Sequence, residues 1–254
     1  MGYFVNCLRD SSSLERDIKE LIPEMNIRRR MSRVVKMGVC SGLESLISFE
    51  EFAEVDAIIT STSLGAIADS ERFLTNIITS EERMLNPTPF IQSTFNTVGA
   101  QIALIRKMHC YNNTFVQRNN SFESGVLEAI LRLKCGASRG VLVGIFDETT
   151  PTVENILNRL GVLRGKSVGE GAIFFVLTAE RYGCSVAEID LILDSKGVED
   201  GLFVSEESDY WSGAMARLML RSIEGGKRGK RGKSITIIND LPESMRTALS
   251  VRTL

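Results

Sequence analysis

Residues 113–135, N-T-F-V-Q-R-N-N-S-F-E-S-G-V-L-E-A-I-L-R-L-K-C, constrain the fold more than any other part of the chain. Their order predicts a short strand (114–118), a polar turn (Asn119, Asn120, Ser121) and a helix from about Phe122. Apolar residues at Phe122, Val126, Leu127, Ile130, Leu131 and Leu133 keep a helical period, and Gly136 is placed to end the helix. A strand that turns sharply into a helix presents its first helical side chain among free backbone N–H groups, at the positive end of the helix dipole. Those conditions stabilise a thiolate or an oxyanion and suit a nucleophile. The side chain at that place is Phe122, which can be neither.

Strand and helix patterns alternate on both sides of this run, which predicts an α/β layered fold. Tyr3, Phe4 and Val5 open a short strand, and 14–21 reads as an amphipathic helix with Glu15 placed to cap it. Residues 55–60 predict a strand and 66–78 a helix. Pro87 and Pro89 bracket an extended lead-in to a helix over 94–108. Strands follow at 140–146 and at the almost wholly apolar 172–178, with a short helix, 153–160, between them. The final third predicts a strand (189–193), an acidic loop (199–209), a helix (213–223) stopped by Gly225-Gly226, and strands at 234–238 and 247–251. No linker and no clear repeat interrupts this order, so a single domain over 1–254 is expected.

Composition narrows the class. With 43% hydrophobic and 24% charged residues, the 254-residue chain can bury a substantial core. A net charge of -2 gives no pull toward nucleic acid or an anionic membrane. The N-terminal stretch carries Asp10, Glu15, Asp17 and Glu20 with no long apolar run, which argues against a signal peptide, and nothing elsewhere approaches a membrane span. A cytoplasmic protein is expected. Cys7, Cys40, Cys110, Cys135 and Cys184 are scattered singly and read as reduced thiols; with one histidine they offer no zinc spacing. No metal or cofactor is expected.

S-F-E-S-G-V-L-E-A (121–129) resembles the nucleophile elbow of the β-ketoacyl synthases, condensing enzymes of the thiolase-like fold. Their pattern, A-C-x-S-G/S-h-x-x-A with h apolar, has a cysteine where this chain has Phe122. Other segments resemble the same enzymes in the same order. They are R-R-R-M-S-R (28–33), T-S-L-G-A-I-A-D-S-E-R-F-L (62–74), P-T-P-F-I-Q-S-T-F-N-T-V-G-A-Q-I-A-L (87–104), G-V-L-V-G-I-F-D-E (140–148) and G-E-G-A-I-F-F-V-L (169–177). The likeness is greatest to the short synthase-like proteins of aryl-polyene and related pigment clusters, chain-length-factor subunits included, whose elbow commonly reads S-F-E-S-A. The resemblance implies a layered α-β-α(-β-α) fold, with 1–180 as the N-terminal half and 181–254 as an abbreviated C-terminal half.

The family's reaction, a Claisen condensation on carrier-protein thioesters, needs a thiolate for the acyl chain and N–H donors for the oxyanion. It also needs cationic or hydrogen-bonding groups for the enolate. Phe122 fails the first requirement. The family meets the last with two histidines. This chain's only histidine, His109, precedes the elbow strand, where the family has no catalytic group. The nearest match to the second histidine, S-D-Y-W-S-G-A (208–214), puts Asp209 near its place, where its charge would repel a malonyl carboxylate. No catalytic residue is assigned. Cys40, in C-S-G-L, imitates the cysteine elbow but lacks the strand-and-turn lead-in and reads as a helical or core cysteine. His109 and Cys110 are neighbours on an expected helix, where adjacent side chains diverge by about 100°. The basic run 227–233 reads as a solvated loop or as a docking patch for an acidic carrier protein. It lacks the aromatics of a nucleic-acid site. Phe122 itself reads as core, or as a plug where an acyl chain would otherwise enter.

Condensing enzymes of this fold are two-fold dimers. Carried over, the strand with Thr114, Phe115, Val116 and Arg118 would pair across the axis. Phe90, Gln92, Thr94 and Phe95 would reach the far end of a partner's acyl tunnel. Relatives often have histidine at the place of Phe95, so a bulkier, drier stop is implied. The resemblance thus implies a non-catalytic, chain-length-factor-like subunit in polyene, polyketide or fatty-acid-type synthesis. Its partner would be a catalytic ketosynthase in a heterodimer, or a second copy in a homodimer, with acyl carrier protein as a further contact. Two alternatives stay open: a self-associating scaffold or carrier-protein-binding module, and an acyltransferase or thioesterase using Cys40 or Cys110.

Overall fold

The computed structural model describes residues 2–193, 200–207, 209–227, 232, 234–240 and 246–254. The chain runs β1 (Tyr3–Asp10), α1 (Ile18–Leu21), α2 (Met25–Arg30), α3 (Arg33–Phe49), β2 (Ala57–Ser61), α4 (Ile67–Thr79), α5 (Pro87–Gln92), α6 (Thr97–Arg106) and β3 (Tyr111–Phe115). It continues α7 (Ser121–Lys134), β4 (Gly140–Asp147), α8 (Pro151–Arg159), β5 (Ser167–Val168), β6 (Gly171–Thr178) and β7 (Ser185–Ile192). It closes with β8 (Leu202–Phe203), β9 (Asp209–Tyr210), α9 (Ala214–Lys227), β10 (Ser234–Asn239) and β11 (Thr247–Thr253).

Among the described residues, a 9-stranded sheet in the order β3-β2-β4-β6-β1-β7-β11-β10-β8 organises the molecule, and β5 pairs with β9 apart from it. β2 runs parallel to β3 and β4, whereas β6 is antiparallel to β4 and β1 to β6. β4 and β6 are buried at nearly every position, which is why both read as unbroken apolar runs rather than alternating ones. On one face α3 lays Val35, Val39, Leu43 and Phe49 in a core with Ile58, Leu142, Phe174 and Val176. On the other, Phe122, Val126, Ala129 and Leu133 of α7 share a core with Val143 and Phe175. Met215, Met219 and Ile223 of α9 join that same core beside Ile237, Leu249 and Val251.

This is the expected α/β layering with a short C-terminal part. That part continues the same sheet and adds α9 to the α7 side. The opposite face of β7 and β11 carries Glu188 and Asp190 beside Ser250 and Arg252, with Glu188 paired to Arg252. Among the described residues, no helix packs substantially on that face.

Several sequence boundaries move, each for a local reason. The predicted helix over 14–21 is only α1, capped by Asp17, which accepts from the Lys19 N–H at 2.7 Å. Glu15 caps nothing; its own N–H donates to Glu44. The 28–33 motif is broken at Met31 and Ser32, both extended, so it straddles α2 and α3. The lead-in at 87–92 is helical, not extended, because Asn86 accepts from the Thr88 N–H and a proline in the first turn loses no helix bond. Gly225 does not stop α9, since a glycine ends a helix by taking positive φ: Gly136 does so after α7 at φ 68° and Gly225 does not. The acidic loop over 199–209 contains β8, a 3-10 turn (Val204–Glu206) and part of β9; residues 199 and 208 lie outside the described set. Most of the basic run 227–233 lies outside it too.

Gly144 in β4 lies against the fully buried ring of Phe174, where a Cβ would stand 2.1 Å from the nearest ring atom. Gly144→Ala is therefore expected to lower the unfolding free energy by about 1–3 kcal/mol. A urea titration reads this as a lower midpoint, and an unchanged midpoint would contradict the packing described.

Candidate functional site

The strand of the elbow is Tyr111–Phe115, so Val116 and Arg118 lie beyond it. Arg118 takes φ 51°, which no strand accommodates, and starts a 3-10 turn, Arg118–Asn120, that feeds α7. Ser121 closes the turn. Its Oγ accepts from the Gln117 N–H at 2.9 Å and donates to the Arg118 carbonyl at 2.7 Å. Phe122 is the second residue of α7, fully buried, with its ring edge-on to Phe175 at 6.3 Å. Burial of such a ring contributes about 1.5–3 kcal/mol. Phe122 thus supplies a core ring to the helix start, and itself offers no acid, base or nucleophile.

The next residue was missed by sequence reasoning. Glu123 is buried, accepts from Asn239 Nδ2, and lies 3.5 Å from Thr247 Oγ1. Burial pushes its carboxyl up to about 7, although the bonds from Asn239 and Thr247 pull the other way. Its Oε2 has no partner among the described residues. A glutamate in the first turn of a helix reads as a solvated, dipole-favoured residue; its partners on β10 and β11 are too distant in sequence to signal otherwise.

A second buried carboxylate gathers three of the quoted segments. Asp147, at the end of β4, accepts from Thr62 Oγ1 at 2.7 Å, from the Ser63 and Leu64 N–H groups at 3.0 and 2.8 Å, and from Ser212 Oγ. Burial raises its pKa, and the bonds from Ser212, Thr62 and the amides oppose that rise. Gly65 ends the cradle at φ 64°, and a Cβ there would stand 2.7 Å from the ring of Phe95. Nearby, Arg33 grips Glu170 through both terminal guanidinium nitrogens and stands 3.6 Å from Glu148. Arg33 holds the Glu170 carboxyl below its ordinary value, whereas burial pushes Glu148 up.

The remaining residues named from sequence lie in or just after β3 and in or just after α5. Among the described residues β3 is an edge strand, bonded to β2 alone, and most of its side chains are half-buried. Phe90 is exposed beside Phe73, with ring centroids 5.2 Å apart, and Phe95 is exposed above Gly65. Thr94 is exposed and its hydroxyl meets Thr97 Oγ1 at 2.8 Å. Gln92 does not reach outward: it is buried, and its Oε1 has no partner among the described residues. Ile91, Val116, Leu104 and Leu131 add exposed apolar surface.

His109 and Cys110 lie on a loop rather than a helix, because Lys107 turns left-handed at φ 53° and ends α6. Cys40 lies buried in the middle of α3, its thiol pushed up to about 11 by burial and by Glu44. Burial also raises Cys110. Asp209 belongs to β9, paired with Ser167, and its side chain lies outside the described set. No group of three or more potential metal ligands occurs among the described residues, and no described helix is long and apolar enough to cross a membrane.

The family profile described as Beta-ketoacyl synthase, N-terminal domain, matches residues 10–159. The chain belongs to the β-ketoacyl synthase family. No curated protein matches its sequence. Solved structures share the fold at low identity, and they make this synthase-family chain thiolase-like in architecture. The ishigamide ketosynthase/chain length factor aligns at TM-score 0.76 and 12% identity, over 94% of this chain and 86% of its own. The ketosynthase ApeO in complex with its chain length factor ApeC, from Xenorhabdus doucetiae, aligns at TM-score 0.66 and 16% identity over 99% of both chains. AntDE:AntF, a type II PKS acyl-carrier protein in complex with its ketosynthase bound to the hexaketide, aligns at TM-score 0.77 and 12% identity. The alignment covers 100% of this chain and 99% of that one.

Two outcomes follow from the buried groups. Glu123 is neutral in both folded and unfolded protein below the ordinary carboxyl range; above it the unfolded chain ionises first. Its contribution to stability is thus present at low pH and lost as pH rises through about 7. Glu123→Gln should gain relative to wild type by up to about 3 kcal/mol between pH 4 and pH 8 in denaturant titrations. Parallel profiles for the two proteins would contradict this. Iodoacetamide should modify the exposed Cys135 in native protein and leave buried Cys7 and Cys40 unmodified until unfolding, as read by peptide mass.

Proposed function

We propose that this chain is a non-catalytic, chain-length-factor-like subunit, one domain over 1–254, that pairs with a cysteine-bearing ketosynthase and limits the acyl chain built there. The observation that carries the reading is a contrast. The place where an acyl-enzyme would form holds a fully buried phenylalanine, whereas the half-buried β3 lies at the sheet edge among the described residues, with exposed apolar side chains such as Phe95, Leu104 and Val116 elsewhere on the chain around it in sequence. An unpaired edge with apolar flanks invites another chain. Related folds occur in complexes of ketosynthases with chain length factors and in one with an acyl-carrier protein. The synthesis served is of polyene, polyketide or fatty-acid type, and the place of action is the cytoplasm.

Phe95 is the residue proposed to set length. Its ring is seated against Gly65, whose backbone belongs to the Asp147 cradle, so it stands on a rigid base. Phe90 is exposed as well, and Gln92, in the same helix, is buried.

Co-expression with a cysteine-bearing ketosynthase of a chain-length-factor pair tests the proposal. A mixed dimer should co-purify, and Phe95→Ala should lengthen the products while the dimer persists. A homodimer that ignores the ketosynthase would sink the pairing and favour a self-associating scaffold. Unchanged product length in Phe95→Ala would remove the role in chain length.

A further inference from the structure

A second feature sits where the first strand meets the C-terminal part, away from the elbow and the sheet edge. Side chains alternate along a strand, so Tyr3, Val5 and Cys7 of β1 should share one face. Tyr3 and Val5 do lie in the α7-side core, but Cys7 lies in the α3-side core and Leu8 packs on the other. The cause is a bulge: Cys7 takes φ 48°, and the pairing of β1 with β6 shifts register between Asn6 and Arg9. Bulges of this kind re-aim a side chain. A left-handed cysteine is strained, so its surroundings must hold it there.

The residue it is turned toward is Cys184. In the antiparallel pairing of β1 with β7, Asn6 stands opposite Ser185, and the next residue outward on each chain is a cysteine. Cys184 packs against the same α3-side core as Cys7. The two thiols interact through a side-chain hydrogen bond, and neither is in a disulfide. Polar contacts fix both segments. The Cys7 carbonyl accepts from Ser45 Oγ of α3 at 2.8 Å. Asn6 Oδ1 accepts from Ser185 Oγ at 2.6 Å and from Cys184 Sγ at 3.9 Å, and Ser185 Oγ accepts from the Tyr182 N–H at 2.8 Å. Opposed residues of antiparallel strands keep their Cα atoms about 4.5–5.5 Å apart, within the span of about 4.4–6.8 Å that a disulfide bridges.

We propose that Cys7 and Cys184 form a modification site, a cross-strand dithiol that closes to a disulfide on meeting a small-molecule disulfide such as oxidised glutathione. The bond braces β7 against β1, and β7 is the strand through which β11, β10 and β8 join the sheet. Cys184 is half-buried and Cys7 buried, which sets the order of events. The Cys184 thiolate attacks one sulfur of the reagent, releasing one glutathione thiolate and leaving a mixed disulfide. The Cys7 thiolate then attacks the Cys184 sulfur and expels the second glutathione thiolate. Two protons pass to solvent, and the reagent takes up the two electrons that the protein thiols lose. Burial raises both thiols, Cys7 to about 12, so the exchange draws on a small thiolate fraction and is slow. A bond across so long a span of chain restricts the unfolded state more than one closing a short loop. None of this needs a partner subunit or acyl chemistry, so it stands or falls apart from the function proposed above.

The test incubates dilute, purified full chain with oxidised glutathione, alkylates it with iodoacetamide in urea and reads the digest by peptide mass. A linked Cys7–Cys184 peptide, cleaved by dithiothreitol, is expected in at least about tenfold excess over any other intramolecular pair, since a disulfide tolerates little separation. The oxidised chain should melt at least about 5 °C above the reduced one, and dithiothreitol should reverse the rise. Cys7→Ser should stop at the mixed disulfide on Cys184, and Cys184→Ser should leave Cys7 a free thiol. The absence of the linked peptide from native protein, or an equal yield from urea-unfolded protein, would overturn the proposal. An unchanged melting temperature after complete linkage would overturn the bracing. Should either variant fail to fold, the comparison of native with unfolded wild type decides.

Discussion

A carboxylate removed from water needs several donors to offset its lost hydration, and that need shapes the centre of this molecule. Asp147 ends β4 at full burial and is met by a side-chain hydroxyl and backbone amides of the turn after β2, and by Ser212 just before α9. Three segments far apart in sequence are thereby held at one point. The turn after β2 can wrap the carboxylate only because Gly65 takes a left-handed φ. The ring of Phe95 then rests where any other residue at 65 would place its side chain. The same constraint sets where α9 begins.

The turn into α7 is held by its own hydrogen bonds. Ser121 locks the turn by accepting one bond and donating another. What stands there is an aromatic ring packed on Phe175 and a glutamate pushed toward neutrality by burial. Glu123 joins the first turn of α7 to β10 and β11 through Asn239 and Thr247, so the C-terminal strands are stitched to the elbow by polar contacts. In this chain the elbow is a structural junction.

Much of the element order could be read from patterning. Unbroken apolar runs marked β4 and β6, and a helical period marked α7, because burial on two faces and on one face leave different traces in a sequence. Errors gathered where local chemistry outweighs pattern. Asn86 made a helix of a proline-bracketed segment, Lys107 took His109 off its helix, and Gly225 kept a helical backbone where a stop was expected. Gln92, expected to reach outward, is buried, since helical α5 rather than an extended lead-in sets its direction.

The amino-acid order alone determined the α/β class, the place of the elbow and the identity of the residue at its tip, because period, turn residues and side-chain chemistry are local properties. Only the tertiary structure decided that Glu123 and Asp147 are buried junctions and that β3 is an edge. Those facts depend on which distant segments meet, and burial, desolvation and unpaired edges exist only once they have met.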